Sequence, residues 1–363
     1  IGRDGANLSE ALQFASLAVE MALSRGGDQA VIKNKFSFDF IGGKSGEVES
    51  SNKVRSRVMA NALESLIKDA SRVLVMGHKF SDMDSIGGAV GICSLARKNG
   101  KSALIVADTE KSSAKPLIRL LRESPEYKEA FISAQEAIMI ADGKTLLVVV
   151  DTNRPEQVED LRLLQSCNHV AVIDHHRRAA TYIDRADLSF IEPYASSVCE
   201  LMTEILEMCS DEPKLLRCEA EAIMAGIVLD TKSFTIRTGD RTFDAAAYLR
   251  RAGADTVAVK KLMQNGMEQT VAKYKILQRA QLYRSMAVAV PETPQNRIVA
   301  AQAADELLNV ALMRCAHLYD RYLVVGIQPQ QRAGHSNVVV EISFGVPHLE
   351  LLTQNGRNQF LGS

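Results

Sequence analysis

The sequence lacks a net charge of either sign, long apolar runs and paired cysteines. Its 43 Lys and Arg residues nearly balance 44 Asp and Glu residues, which leaves a formal net charge of −1 at pH 7. Such a chain has no strong basic field, so we do not expect it to bind long nucleic acid, although a short nucleotide ligand fits this charge. No run approaches the roughly 18 apolar residues of a membrane-spanning helix and no signal peptide is visible, so we expect this fragment to be soluble.

The cysteines form neither a CxxC pair nor the regular spacing of a disulfide framework. Isolated cysteines of this kind are typical of reduced thiols that are buried as small apolar side chains in a cytosolic protein. The six positions are Cys93, Cys167, Cys199, Cys209, Cys218 and Cys315.

Length and composition indicate a globular protein with more than one domain. Apolar residues make up 46% and charged residues 24% of the sequence, which is ordinary for a soluble protein. A chain of 363 residues can form two or three domains with cores of their own. The chain begins with Ile1 and not with methionine, close to a predicted helix, and we interpret it as a piece of a longer protein.

The middle of the sequence alternates predicted strands with predicted helices. The strands are continuous runs of branched apolar residues, which is typical of strands buried on both faces. Alternation with helices predicts a parallel sheet with right-handed crossovers, and therefore an α/β fold in which helices flank the sheet. The predicted strands are RVLVMGH, SALIVAD, TLLVVVDTN and HVAVIDHH, and the helices between them include DSIGGAVGICSLARKNG and EQVEDLRLLQ.

The N-terminal region has a different pattern. Residues 8–24 predict a helix, DQAVIKN a short strand, and residues 35–50 a loop rich in glycine and serine. The GGKS of that loop lacks the first glycine of a phosphate-binding loop at the required spacing, so we do not assign it that role. Residues 51–70 predict a linker helix with alternating charge.

The C-terminal region predicts helices followed by a separate small domain. SSVCELMTEILEMCS and PKLLRCEAEAIMAGIVLD have helical spacing, and residues 251–285 predict a helical linker. Residues 286–363 predict an α+β domain, because strand-like MAVAV, RYLVVGI and NVVVEISF surround one helical segment. We therefore expect the main α/β domain at 71–250.

Several apolar segments are followed by side chains that bind metal ions. The carboxyl ends of the strands of an open parallel sheet line one crevice, so residues remote in sequence converge there. Carboxylates gathered in this way are stable when a cation lies among them. The residues are His78, Asp82 and Asp84 after RVLVM, Asp151 after LLVVV, Asp174, His175 and His176 after VAVI, and Asp230 after AGIVL.

The number of these side chains predicts two metal ions. Even four of the five aspartates and two of the three histidines around one ion would be too crowded and too anionic, whereas two ions that share one aspartate each receive three or four protein ligands. Carboxylate-rich sites with one imidazole each suit Mn²⁺, with Mg²⁺ or Fe²⁺ as alternatives. Two such ions about 3.5–4 Å apart form a site for in-line displacement at phosphorus, and a hydroxide that bridges them is the expected nucleophile.

Each residue has an ordinary structural role as an alternative. An aspartate that follows a strand often caps a helix or forms a turn, as Asp151 or Asp230 could do, and Asp84 could cap a helix that begins at Ser85. A His-His pair at a strand end is often incidental. The coincidence of several such segments favours the metal site.

Four motifs of the sequence resemble those of the DHH phosphoesterases. They are GHKFSDMDSIGG, VVVDTN, VIDHH and GIVLDTKSF, and their order and placement agree with that family. The chain is most similar to the membrane-bound cyclic-di-AMP phosphodiesterases, which combine two transmembrane helices, a PAS domain, a degenerate GGDEF domain, a DHH domain and a DHHA1 domain. The resemblance implies that residues 1–50 are the end of a degenerate GGDEF-like domain, 71–250 the DHH catalytic domain, and 286–363 a DHHA1-like substrate-binding domain.

The resemblance also implies a role for each candidate residue. Asp174 would orient the imidazole of His175. His176 would face the scissile phosphate and donate a hydrogen bond or a proton to its leaving oxygen. The implied metal ligands are His78 and Asp82 for one ion, Asp84, His175 and Asp230 for the other, and Asp151 as the bridge between them.

The C-terminal end departs from the family pattern. The family's glycine-rich GGGGH segment, which helps to hold the nucleotide, has no counterpart in this sequence. QRAGHSNVVVEISFG loosely resembles the arginine-containing loop before that segment, which makes Arg332 a candidate substrate contact. Ser196 and Ser197 stand where the family has small hydroxyl residues near the site, with helix capping as the alternative.

The resemblance implies a Mn²⁺-dependent phosphodiesterase that opens cyclic-di-AMP to linear 5′-pApA. The full-length protein would hold this region at the cytoplasmic face of the membrane through its missing N-terminal part, and the linker helix would be regulatory and promote a homodimer. One alternative is a short-oligonucleotide exonuclease with pAp phosphatase activity; another is a module that senses a nucleotide without cleaving it. A single-strand DNA exonuclease is disfavoured because it needs a basic channel.

Overall fold

The computed structural model divides the chain into two compact units, Ile1–Met263 and Gln264–Ser363. The division into smaller domains and linkers described above stays a prediction. Among the described residues no helix has both the length and the apolar character needed to cross a membrane. The structure describes residues 1–3, 5, 7–24, 29–33, 38–42, 52–178, 180–209, 215–264, 266–283, 286–289, 291, 297–308, 315–320, 323–329 and 338–343.

The N-terminal part of the first unit contains two helices and a two-stranded sheet. The predicted helices and the first strand are confirmed. The predicted loop at 35–50 is wrong for the stretch that forms the second strand, because its backbone pairs with the first strand in antiparallel register over five residue pairs. These elements are α1 (Leu8–Ser24), β1 (Gln29–Lys33), β2 (Phe38–Gly42) and α2 (Asn52–Asp69).

A six-stranded parallel sheet forms the centre of the first unit, as the alternating pattern predicts. Its strands are β3 (Val73–Met76), β4 (Ala103–Val106), β5 (Phe131–Ile132), β6 (Leu146–Val150), β7 (His169–Asp174) and β8 (Leu188–Ile191). The strand order is β5-β4-β3-β6-β7-β8. The two edge strands were not predicted: β5 has only two residues, and β8 reads LSFI, in which a serine interrupts the apolar run.

Helices cover both faces of this sheet and confirm the predicted α/β class. They are α3 (Met83–Lys98), α4 (Lys115–Arg122), α5 (Ala134–Ile140), α6 (Leu161–Ser166), α7 (Val198–Met208), α8 (Arg217–Asp230), α9 (Asp240–Arg251) and α10 (Thr256–Leu262). Successive strand residues enter different cores: Val73 and Val75 pack with α3, α7 and α8, whereas Leu74 packs with α5 and α6. This alternation follows from the two-residue period of a strand.

The start of α6 differs from the prediction. The sequence pattern placed a helix over 156–165, but α6 begins at Leu161 because the carboxylate of Asp160 accepts hydrogen bonds from the N–H groups of Arg162 and Leu163. The residues before Asp160 form other contacts: the carbonyl of Gln157 accepts a hydrogen bond from the N–H of Lys79. That pairing fixes the segment that follows β3.

Close packing of α3, α7 and α8 depends on glycine. A Cβ on Gly226 of α8 would overlap the sulfur of Cys199 and would lie 2.8 Å from Cα of Asp84. A Cβ on Gly87 of α3 would lie 2.7 Å from the carbonyl oxygen of Ala222. The three helices therefore approach one another at a distance that larger residues would prevent.

We expect Gly226→Ala to destabilise the first unit although alanine favours helix by about 1 kcal/mol. The overlap with Cys199 and Asp84 is a case of overpacking, which costs about 1–3 kcal/mol. Urea denaturation followed by circular dichroism measures the change. Gly143→Ala is the control, because the nearest atom to its added Cβ is 3.9 Å away. Equal stability of the two variants would contradict the packing argument.

The second unit is a smaller α+β unit, as predicted. Its elements are α11 (Met267–Leu277), β9 (Gln281–Tyr283), β10 (Met286–Ala289), α12 (Arg297–Leu308), β11 (Cys315–Asp320), β12 (Leu323–Pro329) and β13 (Val338–Ser343). The strand order is β13-β12-β11-β10-β9, with β10 and β11 parallel and the other neighbours antiparallel. Strands β9 and β11 were not predicted. Ile276, Val299 and Ala303 are buried in its core.

Candidate metal centre

The candidate site lies where the strand order of the parallel sheet reverses. The chain proceeds from β3 to β4 and β5 on one side, and from β6 to β7 and β8 on the other. A crevice opens beyond the carboxyl ends of strands at such a point. His78 follows β3, Asp151 comes directly after β6, and His175 comes directly after β7. Three of the predicted residues therefore reach the crevice from the sheet.

Asp151 holds the middle of the cluster and has an unusual backbone. Its φ is 61°, in the left-handed region that aspartate tolerates better than most residues. One carboxylate oxygen, Oδ2, lies 3.4 Å from Nε2 of His78, and the other, Oδ1, lies 3.5 Å from Nε2 of His175. The two oxygens of one buried side chain therefore face two different groups of ligands.

The first group consists of His78, Asp82 and Asp151, whose ligand atoms lie within 4.8 Å of one another. Nδ1 of His78 lies 2.7 Å from the carbonyl oxygen of Lys79, which leaves Nε2 directed at the carboxylates. Asp82 caps α3 by accepting hydrogen bonds from the N–H groups of Asp84 and Ser85, each 3.0 Å long. The residue that caps this helix is therefore Asp82 and not Asp84, for which capping was the alternative role.

The second group consists of Asp84, His175 and Asp230. Nε2 of His175 lies 3.6 Å from Oδ2 of Asp84 and 3.2 Å from Oδ2 of Asp230. Asp84 is on α3 and Asp230 is the last residue of α8, so helices and not strands supply these carboxylates. The N-terminus of α7 fixes the Asp84 carboxylate, because the N–H groups of Val198 and Cys199 donate hydrogen bonds to the Asp84 oxygens at 2.8 and 3.0 Å.

Asp174 contacts a different imidazole from the one implied by the resemblance. Its Oδ1 lies 2.8 Å from Nδ1 of His176 and also accepts the N–H of that residue. Its Oδ2 accepts a hydrogen bond from Nδ2 of buried Asn153 at 2.5 Å. Asp174 therefore does not orient His175, contrary to the prediction. Consecutive residues at the end of a strand point to opposite sides, so Asp174 faces the same side as His176.

This cluster contains buried oxygen and nitrogen atoms that have no hydrogen-bond partner in the part of the chain that the structure describes, and atoms of these types bind divalent cations. Oδ1 of Asp151 and both ring nitrogens of His175 are buried and have no hydrogen-bond partner among the described residues. Buried polar atoms without a partner are rare and costly in folded proteins. A cation that accepts electron pairs from Asp151 and His175 satisfies the carboxylate and one ring nitrogen together.

The raised pKa values of two carboxylates in the cluster also indicate a place for a cation. Burial, and then the charges of neighbouring aspartates, raise the pKa of Asp84 well above its ordinary value. Burial raises the pKa of Asp230 to about 7, with His175 opposing the shift and Asp151 adding to it. A nearby positive charge favours the ionised carboxylate and so offsets both effects.

Two histidines, His78 and His176, supply part of the positive charge that favours the ionised carboxylates. Burial opposes protonation of His78, but the carboxylates of Asp151 and Asp82 outweigh it and raise its pKa to about 11. Burial also opposes protonation of His176, but Asp174 outweighs it and raises the pKa to about 9. A histidine that binds a metal gives up its proton, so metal binding to this cluster releases protons.

An open cavity of about 480 Å³ leads to the cluster, within the usual range for a small-molecule site. Both groups border it, through His78 and Asp151 on one side and Asp230 on the other. The full lining is His78, Lys79, Phe80, Asp82, Asp151, Glu156, Gln157, His176 and Asp230.

The remaining predicted residues have other positions. Ser197 caps α7 by accepting the N–H of Glu200, as the capping alternative predicts. Ser196 does not cap this helix; its hydroxyl donates to the Glu200 carboxylate. Arg332 lies outside the described residues. Asn153 was not singled out from the sequence. This residue belongs to the VVVDTN motif, and in the structure its amide is buried.

Comparison with known families and curated proteins gives one consistent result. Residues 72–227 match the DHH family, N-terminal domain. The chain is 42% identical over 320 residues to the cyclic-di-AMP phosphodiesterase GdpP of Bacillus subtilis (strain 168), covering 86% of this chain and 48% of that protein. It is 37% identical over 342 residues to the cyclic-di-AMP phosphodiesterase PdeA of Listeria monocytogenes serotype 1/2a (strain 10403S), covering 93% and 51%. The chain thus spans about half the length of these curated relatives.

Among solved structures, an exopolyphosphatase-related protein from Bacteroides fragilis has a similar fold. The TM-score is 0.64 with 16% sequence identity, and the match covers 80% of this chain and 92% of that one. At this identity the likeness concerns the fold alone. Together with the two phosphodiesterase relatives and the four motifs around the candidate metal centre, the family match shows that residues 72–227 of this chain form a domain of the DHH family.

Proposed function

We propose that this chain is a phosphodiesterase that depends on two divalent metal ions and opens cyclic-di-AMP to linear 5′-pApA. The observation that carries the proposal is the division of the Asp151 carboxylate between two groups of metal ligands. The relatives named above, whose printed names are cyclic-di-AMP phosphodiesterases, support the substrate. We propose Mn²⁺ as the metal because the ligands are mostly carboxylates with one imidazole in each group.

The proposed roles follow the geometry of the cluster. His78 and Asp82 would hold one ion, Asp84, His175 and Asp230 the other, and Asp151 both. When bound, such ions stabilise charge on phosphoryl oxygens and lower the pKa of water.

His176 is the proposed proton donor. It borders the cavity and its side chain is half exposed, while Nδ1 is engaged by Asp174, so Nε2 is the atom that can reach a ligand. In the proposed reaction a water oxygen adds to phosphorus and loses a proton to solvent, the bond from phosphorus to the ribose 3′ oxygen breaks, and that oxygen takes a proton from His176, which regains one from solvent. The products are a 5′ phosphate and a 3′ hydroxyl, as in 5′-pApA.

We further propose that the full-length protein places this region at the cytoplasmic face of a membrane and forms a homodimer. The relatives support a longer protein, since this chain spans about half of each. Residues 1–50 would end a GGDEF-like domain and residues 286–363 would form a DHHA1-like domain with Arg332 as a substrate contact.

A turnover assay with four substrates tests the activity. We expect the Mn²⁺-loaded protein to convert cyclic-di-AMP to 5′-pApA, which then accumulates, and to hydrolyse bis-p-nitrophenyl phosphate slowly. Preferred cleavage of pApA or of a short oligonucleotide would support the exonuclease alternative. Binding of cyclic-di-AMP without turnover of any substrate would support the sensor alternative.

A further inference from the structure

One aromatic side chain in the cavity wall has no part in the roles described so far. Phe80 borders the cavity together with His78, Asp82 and Asp151. Its side chain is 65% exposed, so it contributes little to the core of the first unit. Among the described residues that line the cavity, it is the one with a large apolar face, because the others are charged, polar or imidazole side chains.

Both sides of Phe80 are fixed to the rest of the fold. On the N-terminal side, the N–H of Lys79 donates to the carbonyl of Gln157, and His78 forms a β-bridge with Val158. On the C-terminal side, the carbonyl of Ser81 accepts hydrogen bonds from residues 112 and 113. The backbone that carries Phe80 is therefore anchored on both sides, next to the candidate metal ligands His78 and Asp82.

The backbone of Phe80 is strained. Its φ is 60°, and a bulky residue in the left-handed region is uncommon and unfavourable. Strain of this kind persists where the surrounding structure enforces it, and it concentrates at binding and catalytic sites. Here it presents an apolar ring to solvent at the position between the two ligands of the first group, His78 and Asp82.

We propose that Phe80 is a stacking platform for the nucleobase next to the scissile phosphate. This inference rests on the proposed function, because the phosphate must lie at the metal cluster for its base to reach the ring. A phosphodiester bound there brings a sugar and a base along the cavity wall, and a base has a flat π face that stacks on an aromatic side chain. The other flat rings of the lining are the imidazoles of His78 and His176, and both already have roles in the proposed function.

The platform sets the class of substrate more than the identity of the base. Stacking on a phenyl ring tolerates every base, because it does not read hydrogen-bonding edges. It therefore selects nucleotide diesters over polyphosphates and simple alkyl diesters, and does not by itself distinguish adenine from guanine.

Three variants test this role. Phe80→Asn removes the ring and keeps a residue that accepts the left-handed backbone, Phe80→Leu keeps apolar bulk without a π face, and Phe80→Tyr keeps the ring. We expect Phe80→Asn to raise KM for cyclic-di-AMP, and Kd for 5′-pApA measured by calorimetry, about ten- to a hundredfold with little change in kcat. Phe80→Leu should give a smaller increase, and Phe80→Tyr should restore nearly native values.

A second measurement separates this inference from the proposed function. The rise in Tm on adding Mn²⁺ should be the same in the native protein and in Phe80→Asn, since the ring is not a metal ligand. Loss of that rise would mean that Phe80 supports His78 and Asp82, and native KM and Kd in Phe80→Asn would mean that no base stacks there; either result overturns the inference. Failure of the native protein to turn over cyclic-di-AMP would refute the proposed function, while the Kd of Phe80→Asn for 5′-pApA would still decide the role of Phe80.

Discussion

We expect Asp151→Asn to lower turnover of cyclic-di-AMP by at least about a thousandfold. The substitution keeps the shape of the side chain but removes the charge that both groups of ligands share. A catalytic metal contributes several kcal/mol to transition-state stabilisation, and each 1.36 kcal/mol corresponds to tenfold in rate. Steady-state kinetics with Mn²⁺ in excess, together with the metal content of the purified variant, measures the effect.

The matched control for this prediction is Asp69→Asn. Asp69 is exposed at the end of α2, just before β3, and so lies at the opposite edge of the sheet from the cluster. This variant should retain native kcat and native metal content. An Asp151→Asn protein that kept two ions per chain and more than a tenth of native turnover would refute the bridging role.

The second large effect concerns thermal stability. We expect Mn²⁺ to raise the Tm of metal-free protein by at least about 5 °C. A ligand at a hundred times its Kd stabilises the folded state by about 2.7 kcal/mol, and 1 kcal/mol corresponds to about 2–4 °C in a unit of this size. The physical source is that a cation offsets first the burial and then the mutual repulsion of the carboxylates, which together raise the pKa of Asp84 and Asp230.

Differential scanning calorimetry of EDTA-treated protein, with Mn²⁺, Mg²⁺, Fe²⁺ and Zn²⁺ added separately, measures this stabilisation and ranks the metals. Asp230→Asn should lose part of the Mn²⁺ effect because it removes one ligand of the second group. Asp69→Asn should keep all of it. An equal rise in the native protein and in Asp230→Asn would place the binding of Mn²⁺ elsewhere in the chain.

The sequence predicts the parallel sheet and the residues at its strand ends well. Apolar runs such as LLVVV are long enough to identify a buried strand, and a strand end is a fixed place in a parallel sheet. The amino-acid pattern alone therefore suffices to group His78, Asp151 and His175. The same reasoning does not apply to Asp84 and Asp230, which helices carry.

What the sequence could not predict depends on tertiary contacts. The approach of α8 to α3 requires the space left by Gly226, and no local pattern indicates which helices meet there. The pairing of Asp174 with His176 depends on side-chain directions at the end of β7 and on the amide of Asn153. Strand β2 is a different case, because FSFDFI alternates phenylalanine with polar residues as a strand does, and the signal was overlooked beside the glycines and serines that follow it.

The spread of the ligands along the chain has a consequence for how the protein matures on the ribosome. The first group is complete once synthesis has passed Asp151, whereas the second waits for Asp230 at the end of α8. An unfolded chain has no preformed site, so retention of an ion reports that these elements have docked. A nascent chain that stalls between the two points holds one ion at most, and we expect it to be inactive at any concentration of divalent metal.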